Sequence, residues 1–272
     1  MSRCVGPLRR SRRTVSVRAS PSVGVGVIVS VRVGVGVGAR VGLDKTCMQS
    51  SDLPIRPAAT TACLRDGNDG VEVLLVRRSR QLVFYGSAWA FPGGRVDPED
   101  AAPGADLYDQ PASRNAAVRE TREETSIALS PEALVALSHW TTPPGRPRRF
   151  STWFFLARPI VDRVVVDDSE IDKHWWTQPA EALAAQARSE ITLPPPTFIT
   201  LRWLLAFNSV DSALAAAQTE RLERFVPRVA TLDEHTVSLY EGDAGYTTCD
   251  PSVPGRRHRL WMRPGGWRYE RT

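Results

Sequence analysis

Glu120, Glu123 and Glu124 are the residues of this chain best placed to do chemistry together. On a helix at about 100° per residue they fall within about a 100° arc, so three carboxylates crowd one face. Like charges at i, i+3 and i, i+4 destabilise an isolated helix by a few tenths of a kcal/mol per pair, and something cationic should offset this. A hard divalent ion, Mg²⁺ or Mn²⁺, is the natural candidate, since it prefers oxygen ligands and commonly bridges carboxylates to substrate phosphates. Such an ion neutralises pyrophosphate charge and makes a bound water a better nucleophile. The plain alternative is a solvated face stabilised by Arg119 and Arg122. Against it stands the segment just upstream, Ala90-Phe91-Pro92-Gly93-Gly94-Arg95, which reads as a strand ending abruptly at two glycines. Glycine allows a tight turn beside the helix, and Gly94 is expected to present a carbonyl oxygen to the metal.

Arginines supply the second kind of chemistry. Arg146, Arg148 and Arg149 lie in a Pro-rich loop before an aromatic run, where guanidinium forks can hold phosphate oxygens, and Arg148 and Arg149 are favoured for that role. Arg78, beside Arg77, is a further substrate-binding candidate, with cover of the sheet edge as the plainer reading. The stripe Trp153, Phe154, Phe155 reads as core.

These groups need a scaffold, and the sequence predicts its elements. Thr60–Leu64 and Val71–Arg77 pattern as strands around a turn dense in residues that tolerate positive φ, Arg65-Asp66-Gly67-Asn68-Asp69-Gly70. A third strand run is Ala88–Phe91. Residues 113–125 read as the carboxylate-bearing helix, with Ser113 as N-cap. Strands are expected at Val135–Thr142, Thr152–Ala157 and Val164–Val166. Helices should follow at Pro179–Arg188, Thr197–Phe207 and Ser209–Arg224, then short strands at Val237–Tyr240, Arg259–Met262 and Trp267–Glu270. Strands interleaved with helices predict an α/β sandwich around a mixed sheet.

The net charge of +5 suggests a nucleic-acid binder until its location is read. The first 43 residues hold eight arginines and no acid, and residues 44–272 hold 27 basic against 30 acidic groups. The body is mildly acidic, so nucleic acid is not an expected partner. No apolar run approaches the roughly 20 residues of a membrane helix, and no membrane partner is expected. Cys4, Cys47, Cys63 and Cys249 lack paired spacing, which argues against a zinc site or disulfide framework and suits a reducing, cytoplasmic setting. Residues 23–42 alternate valine with glycine and offer nothing to pack on one face, so residues 1–47 read as a low-complexity extension, with Met48 expected as the true first residue. An Arg- and Ser-rich transit peptide is the alternative.

The carboxylate segment resembles the Nudix box, which runs Gly, five spacers, Glu, seven spacers, Arg-Glu-apolar-x-Glu-Glu-x-Gly-apolar. Gly94 takes the first glycine position and Asp100 stands where the first glutamate belongs. Arg119, Glu120, Glu123, Glu124 and Ile127 match the second half in order. Three features depart from it. Eighteen residues separate Asp100 from Arg119, eleven more than the family's seven; Thr121 replaces an apolar residue; and Ser126 replaces the final glycine. An insertion of this kind marks the coenzyme A diphosphatase branch, whose W-x-T-P…R-R-F-x-T-x-F-F stretch is also similar to Trp140–Phe155 here, as Leu193-Pro194-Pro195-Pro196-Thr197 is to another of its segments.

The resemblance spans roughly residues 58–205. It implies a Nudix-type α/β/α sandwich over residues 48–205, with residues 206–272 a helical and short-strand extension on the same domain. It further implies that Glu120, Glu123 and Glu124 hold the metal while Arg119 orients them, and that Glu170 supplies an extra ligand or the general base unless it is simply solvated. The implied activity is hydrolysis of a small-molecule diphosphate substrate, coenzyme A or an acyl-CoA first, with ADP-ribose, dinucleotides and nucleotide sugars behind it. A non-catalytic nucleotide sensor on the same fold is the competing expectation, and a homodimer is compatible with either.

Overall fold

Alternation along three strands decides the layers. In strand β1 (Ile55–Gly67), Ala59 and Cys63 face one way and Ala62 and Leu64 the other. Strands β2 (Gly70–Arg78) and β6 (Arg149–Ala157) do the same, with Leu74 and Val76 opposed to Val73 and Leu75, and Trp153 and Phe155 opposed to Phe154 and Leu156. A strand apolar on both faces needs cover on both. The computed structural model describes residues 54–78, 87–166 and 171–272, and it provides that cover from helices on either side of an eight-stranded mixed sheet. Residues 1–47 and Glu170 lie outside the described residues.

The sheet runs β3 (Trp89–Ala90), β2, β1, β6, β5 (Val135–Thr141), β8 (Glu223–Phe225), with β4 (Gly93–Arg95) paired to β1 and β7 (Ile171–Thr177) to β2. The pairs β1·β6 and β5·β8 are parallel, and the hairpin β1·β2 closes over Asn68-Asp69 between Gly67 and Gly70. Helix α1 (Gln110–Thr125) covers one face through Ala112, Ala116 and Ala117 against Ala59, Trp153 and Phe155. Helices α2 (Pro179–Ala187), α3 (Pro195–Leu204) and α4 (Val210–Thr219) contribute Ala182, Leu201 and Ala213 to the larger core on the other. The predicted α/β/α sandwich is the observed architecture. A second, four-stranded antiparallel sheet, β9 (Arg228–Leu232), β10 (His235–Leu239), β11 (His258–Met262) and β12 (Arg268–Arg271), adds Leu260 to that larger core.

Several elements differ from the sequence reading. Helix α1 begins three residues before Ser113, because Asp109 accepts from Ala112 N at 3.1 Å and Pro111 suits the first turn; Ser113 is buried instead. Val164–Val166 forms no strand, its one ladder-like bond being Val165 N to Thr125 O, and Ile171–Thr177 pairs with β2 in its place. Helix α4 stops at Thr219, since Glu223–Phe225 joins β5 as an edge strand. Strand β9 was not anticipated.

Candidate active site

The last turns of α1 carry the carboxylates, and β4 is the surface they meet. Phe91-Pro92 is pinned beside β1 by Thr60, whose hydroxyl donates to Pro92 O at 2.6 Å while Thr61 N donates to the same oxygen at 2.9 Å. This fixes the entry into Gly93-Gly94, which is not the expected tight turn but a strand paired with Ala59 and Thr60. Both positions exclude a side chain, for different reasons. A Cβ on Gly93, at φ +154°, would stand 2.3 Å from Ala59 O, and a Cβ on Gly94 would stand 2.3 Å from the Glu120 carboxyl carbon. The first glycine lets two backbones approach; the second leaves room for a carboxylate.

Arg119 ties the cluster together. Its Nε and one terminal nitrogen donate to the two oxygens of Asp100 at 3.0 and 2.8 Å, and that nitrogen also donates to Arg95 O at 3.0 Å. The other terminal nitrogen donates to Glu120 at 2.9 Å and to Glu123 at 3.1 Å. Asp100 is buried and also accepts from Asp97 N at 2.8 Å, so it is itself held in place. Asp100, with Glu120 behind it, keeps the guanidinium pKa above its ordinary value, so Arg119 is permanently charged. Glu124 is 4% exposed and accepts from Gly93 N at 2.9 Å, docking the helix on β4. Glu123 is the outermost member.

The eighteen-residue spacer does not separate Asp100 from Arg119. It is taken up by the loop 101–109 and the early turns of α1, and it is tied back by Asn115 to Asp100 O at 2.8 Å and by the Tyr108 hydroxyl to Ile55 O at 2.5 Å. The helix ends at Ser126 in the left-handed conformation, φ 61°, ψ 8°, where glycine is the unstrained residue. Thr121 is fully buried, and its hydroxyl has no hydrogen-bond partner among the described residues.

The donors gathered here are hard oxygens, and the bare Gly94 leaves room for the Glu120 carboxylate against β4, so the residues suit a hard divalent cation in kind. Among the described residues no three acids, histidines or cysteines form a ready-made metal cage; the Arg119 guanidinium sits between Glu120 and Glu123 as the local positive charge.

The other candidates lie elsewhere. Arg148 is exposed in the bend before β6, and Arg149 opens that strand, donating to Thr142 O at 3.2 Å. Arg149 precedes Thr152 by three residues, and Thr152 aligns through Ala58 with Arg95, so the backbone of Arg149 stands about 10 Å along and about 10 Å across from that of Arg95. Arg77 is bound bidentately to Asp172 at 2.7 Å, as an edge-covering residue would be, and the side chain of Arg78 lies outside the described residues. Trp153, Phe154 and Phe155 are core. Asp97, 3.6 Å from Arg119, was missed; the Asp97-Pro-Glu-Asp100 spacing, two acids bracketing a tight turn, was its signal.

The NUDIX domain model matches residues 55–194, which span β1 through α2 and the whole carboxylate cluster. The chain belongs to the Nudix family. Among its relatives is the acyl-coenzyme A diphosphatase NUDT19 of Xenopus laevis, 24% identical over 76% of this chain and 79% of that one. The human protein of the same name is 31% identical over 56% of this chain and 45% of its own length. A solved structure, a NUDIX hydrolase from Alicyclobacillus acidocaldarius, superposes with a TM-score of 0.56 at 27% identity, covering 64% of this chain and 99% of that chain. The protein is a Nudix hydrolase, and the reaction its family and relatives support is cleavage of a diphosphate linkage in a small molecule. Among the described residues no helix is long and apolar enough to cross a membrane.

Proposed function

We propose that the protein hydrolyses the diphosphate of coenzyme A or an acyl-coenzyme A with Mg²⁺ or Mn²⁺ as cofactor. The observation that carries this reading is the Arg119-centred cluster, combined with similarity to diphosphatases named for that substrate. Water adds to one phosphorus as the P–O–P bond breaks, leaving two phosphomonoesters. The metal, when bound, offsets phosphate charge and lowers the pKa of a water. Glu120, Glu123 and Glu124 would hold it, with the Gly94 backbone alongside.

Arg119 keeps Glu120 and Glu123 oriented through its anchor on Asp100, and Glu124 takes its position from Gly93 N. Arg148 and Arg149 would hold phosphate oxygens of the substrate rather than the metal. Glu170 and Arg78 keep the roles that the resemblance and the sequence suggest for them. A reducing, cytoplasmic setting fits Cys63, whose thiol burial pushes up to about 12 and so keeps unreactive.

The test is a panel of coenzyme A, acyl-CoA, ADP-ribose, dinucleotides and nucleotide sugars with Mg²⁺ and Mn²⁺, run beside Glu124→Gln. Coenzyme A or acyl-CoA should give the highest kcat/KM, and Glu124→Gln should lose at least about two orders of magnitude in rate. Equal activity in the variant would remove the carboxylates from the mechanism, and preference for another substrate would remove coenzyme A.

A further inference from the structure

One large cavity lined by described residues contains none of the cluster residues. It is a cleft of about 990 Å³ between α3, α4, β8 and the C-terminal sheet, at the upper end of the size range of small-molecule sites. It opens on the sheet face away from α1, and β8 lies four strand positions from β4, about 19 Å across the sheet.

Its lining combines charge with apolar surface. Beneath it Trp140 stacks on Phe225 with ring centroids 3.9 Å apart and planes 6° apart, both rings being buried. Around the cleft stand Arg202, Arg221 and Arg271, whereas Arg224 pairs opposite His139 and so projects to the other sheet face. Arg271 is neutralised by Glu223 at 2.9 Å. Arg202 and Arg221 have no ion-pair partner among the described residues. Of the two remaining acids, Glu220 already accepts from the Trp203 indole at 3.2 Å, and Glu241 is exposed at the edge.

A polar position at the base is also unfilled. His258 is 8% exposed, and its Nδ1 lies 2.7 Å from Glu241 O. Its Nε2 has no hydrogen-bond partner among the described residues, the nearest carboxylate oxygen being Glu223 Oε1 at 3.6 Å. Two guanidinium forks without an ion-pair partner beside one cleft match a phosphate better than a single carboxylate, and the volume of the cleft leaves room for a body attached to it.

We propose that this cleft is a second ligand site, separate from the hydrolytic one, that takes a phosphate-bearing molecule of nucleotide size. The inference is independent of which diphosphate the enzyme cleaves.

The test is calorimetric titration of the full chain in EDTA with ADP, pyrophosphate and adenosine as probes. ADP should bind saturably, pyrophosphate more weakly and adenosine more weakly still. Affinity for ADP should fall at least tenfold in the double variant Arg202→Ala, Arg221→Ala and change less than twofold in Glu124→Gln, while the double variant hydrolyses the enzyme's substrate at the wild-type rate. If circular dichroism shows the double variant unfolded, Arg221→Gln, an exposed single change, should weaken ADP at least threefold. Absence of saturable ADP and pyrophosphate binding to the folded wild type overturns the proposal. So does binding that survives the arginine changes or vanishes with Glu124→Gln.

Discussion

Arg259 and Arg119 are both held by carboxylates, and the two sites are balanced in opposite ways. Arg259 in the C-terminal sheet is 1% exposed and meets one acid, Asp243, through two bonds of 2.7 Å, with Pro251 O taking a third. Asp243 spends its remaining capacity on the backbone N–H groups of His258 and Gly245. Each charge is matched once and sealed from water. Arg119 is instead shared by Asp97, Asp100, Glu120 and Glu123 at the edge of solvent, with Glu124 packed beside them. One-to-one pairing makes a lock, whereas acids crowded around one guanidinium make a site able to accept a further cation.

The largest effect should therefore fall on stability at the lock. Arg259→Ala leaves Asp243 buried without its counter-ion and should cost about 3–5 kcal/mol in chemical denaturation. The protein that remains folded should turn over substrate at the wild-type rate. A comparable loss of kcat in folded material would show that the two regions are coupled and would break the contrast.

The paired glycines sharpen it. Gly93→Ala drives a methyl into Ala59 O and Thr60 Cα, backbone that cannot step aside, so the melting temperature should fall by several degrees. Gly94→Ala meets the end of the Glu120 side chain, which can swing away. That variant should keep most of its melting temperature and lose about tenfold or more in kcat, measured with saturating metal. Equal behaviour of the two would mean that Gly94 does not make room for the carboxylate.

The smallest effects concern the departures from the family pattern. Thr121→Val removes a buried hydroxyl without a partner and should stabilise the protein by about 1 kcal/mol. Ser126→Gly relieves a left-handed residue and should gain about as much, less the bond from its hydroxyl to Val165 O at 3.2 Å. Neither should change kcat by more than about twofold.

The sequence made some of this legible and hid the rest. Local signals carried far: alternation placed β1, β2 and β6, the turn residues placed the hairpin, and the spacing of Glu120, Glu123 and Glu124 placed three acids on one helical face. The N-cap was misjudged because Ser113 and Asp109 both qualify locally, and what decides is that Ser113 is needed inside. Val164–Val166 has strand composition but no sheet edge to pair with, while Ile171–Thr177, with charged and aromatic residues mixed, finds one beside β2. The Asp100–Arg119 contact could be supposed only from the family pattern, because nineteen positions of chain separate them. The cleft beside α3 and α4 was invisible, since its arginines come from three separate stretches of chain.

The central claim is that the acids at the end of α1 gather a divalent cation. Isothermal titration of Mn²⁺ into the wild-type protein and into the triple variant Glu120→Gln, Glu123→Gln, Glu124→Gln tests it without reference to any substrate. The account predicts saturable binding in the wild type and at least a hundredfold weaker binding in a triple variant that remains folded. Indistinguishable Mn²⁺ affinities in the two folded proteins would contradict it.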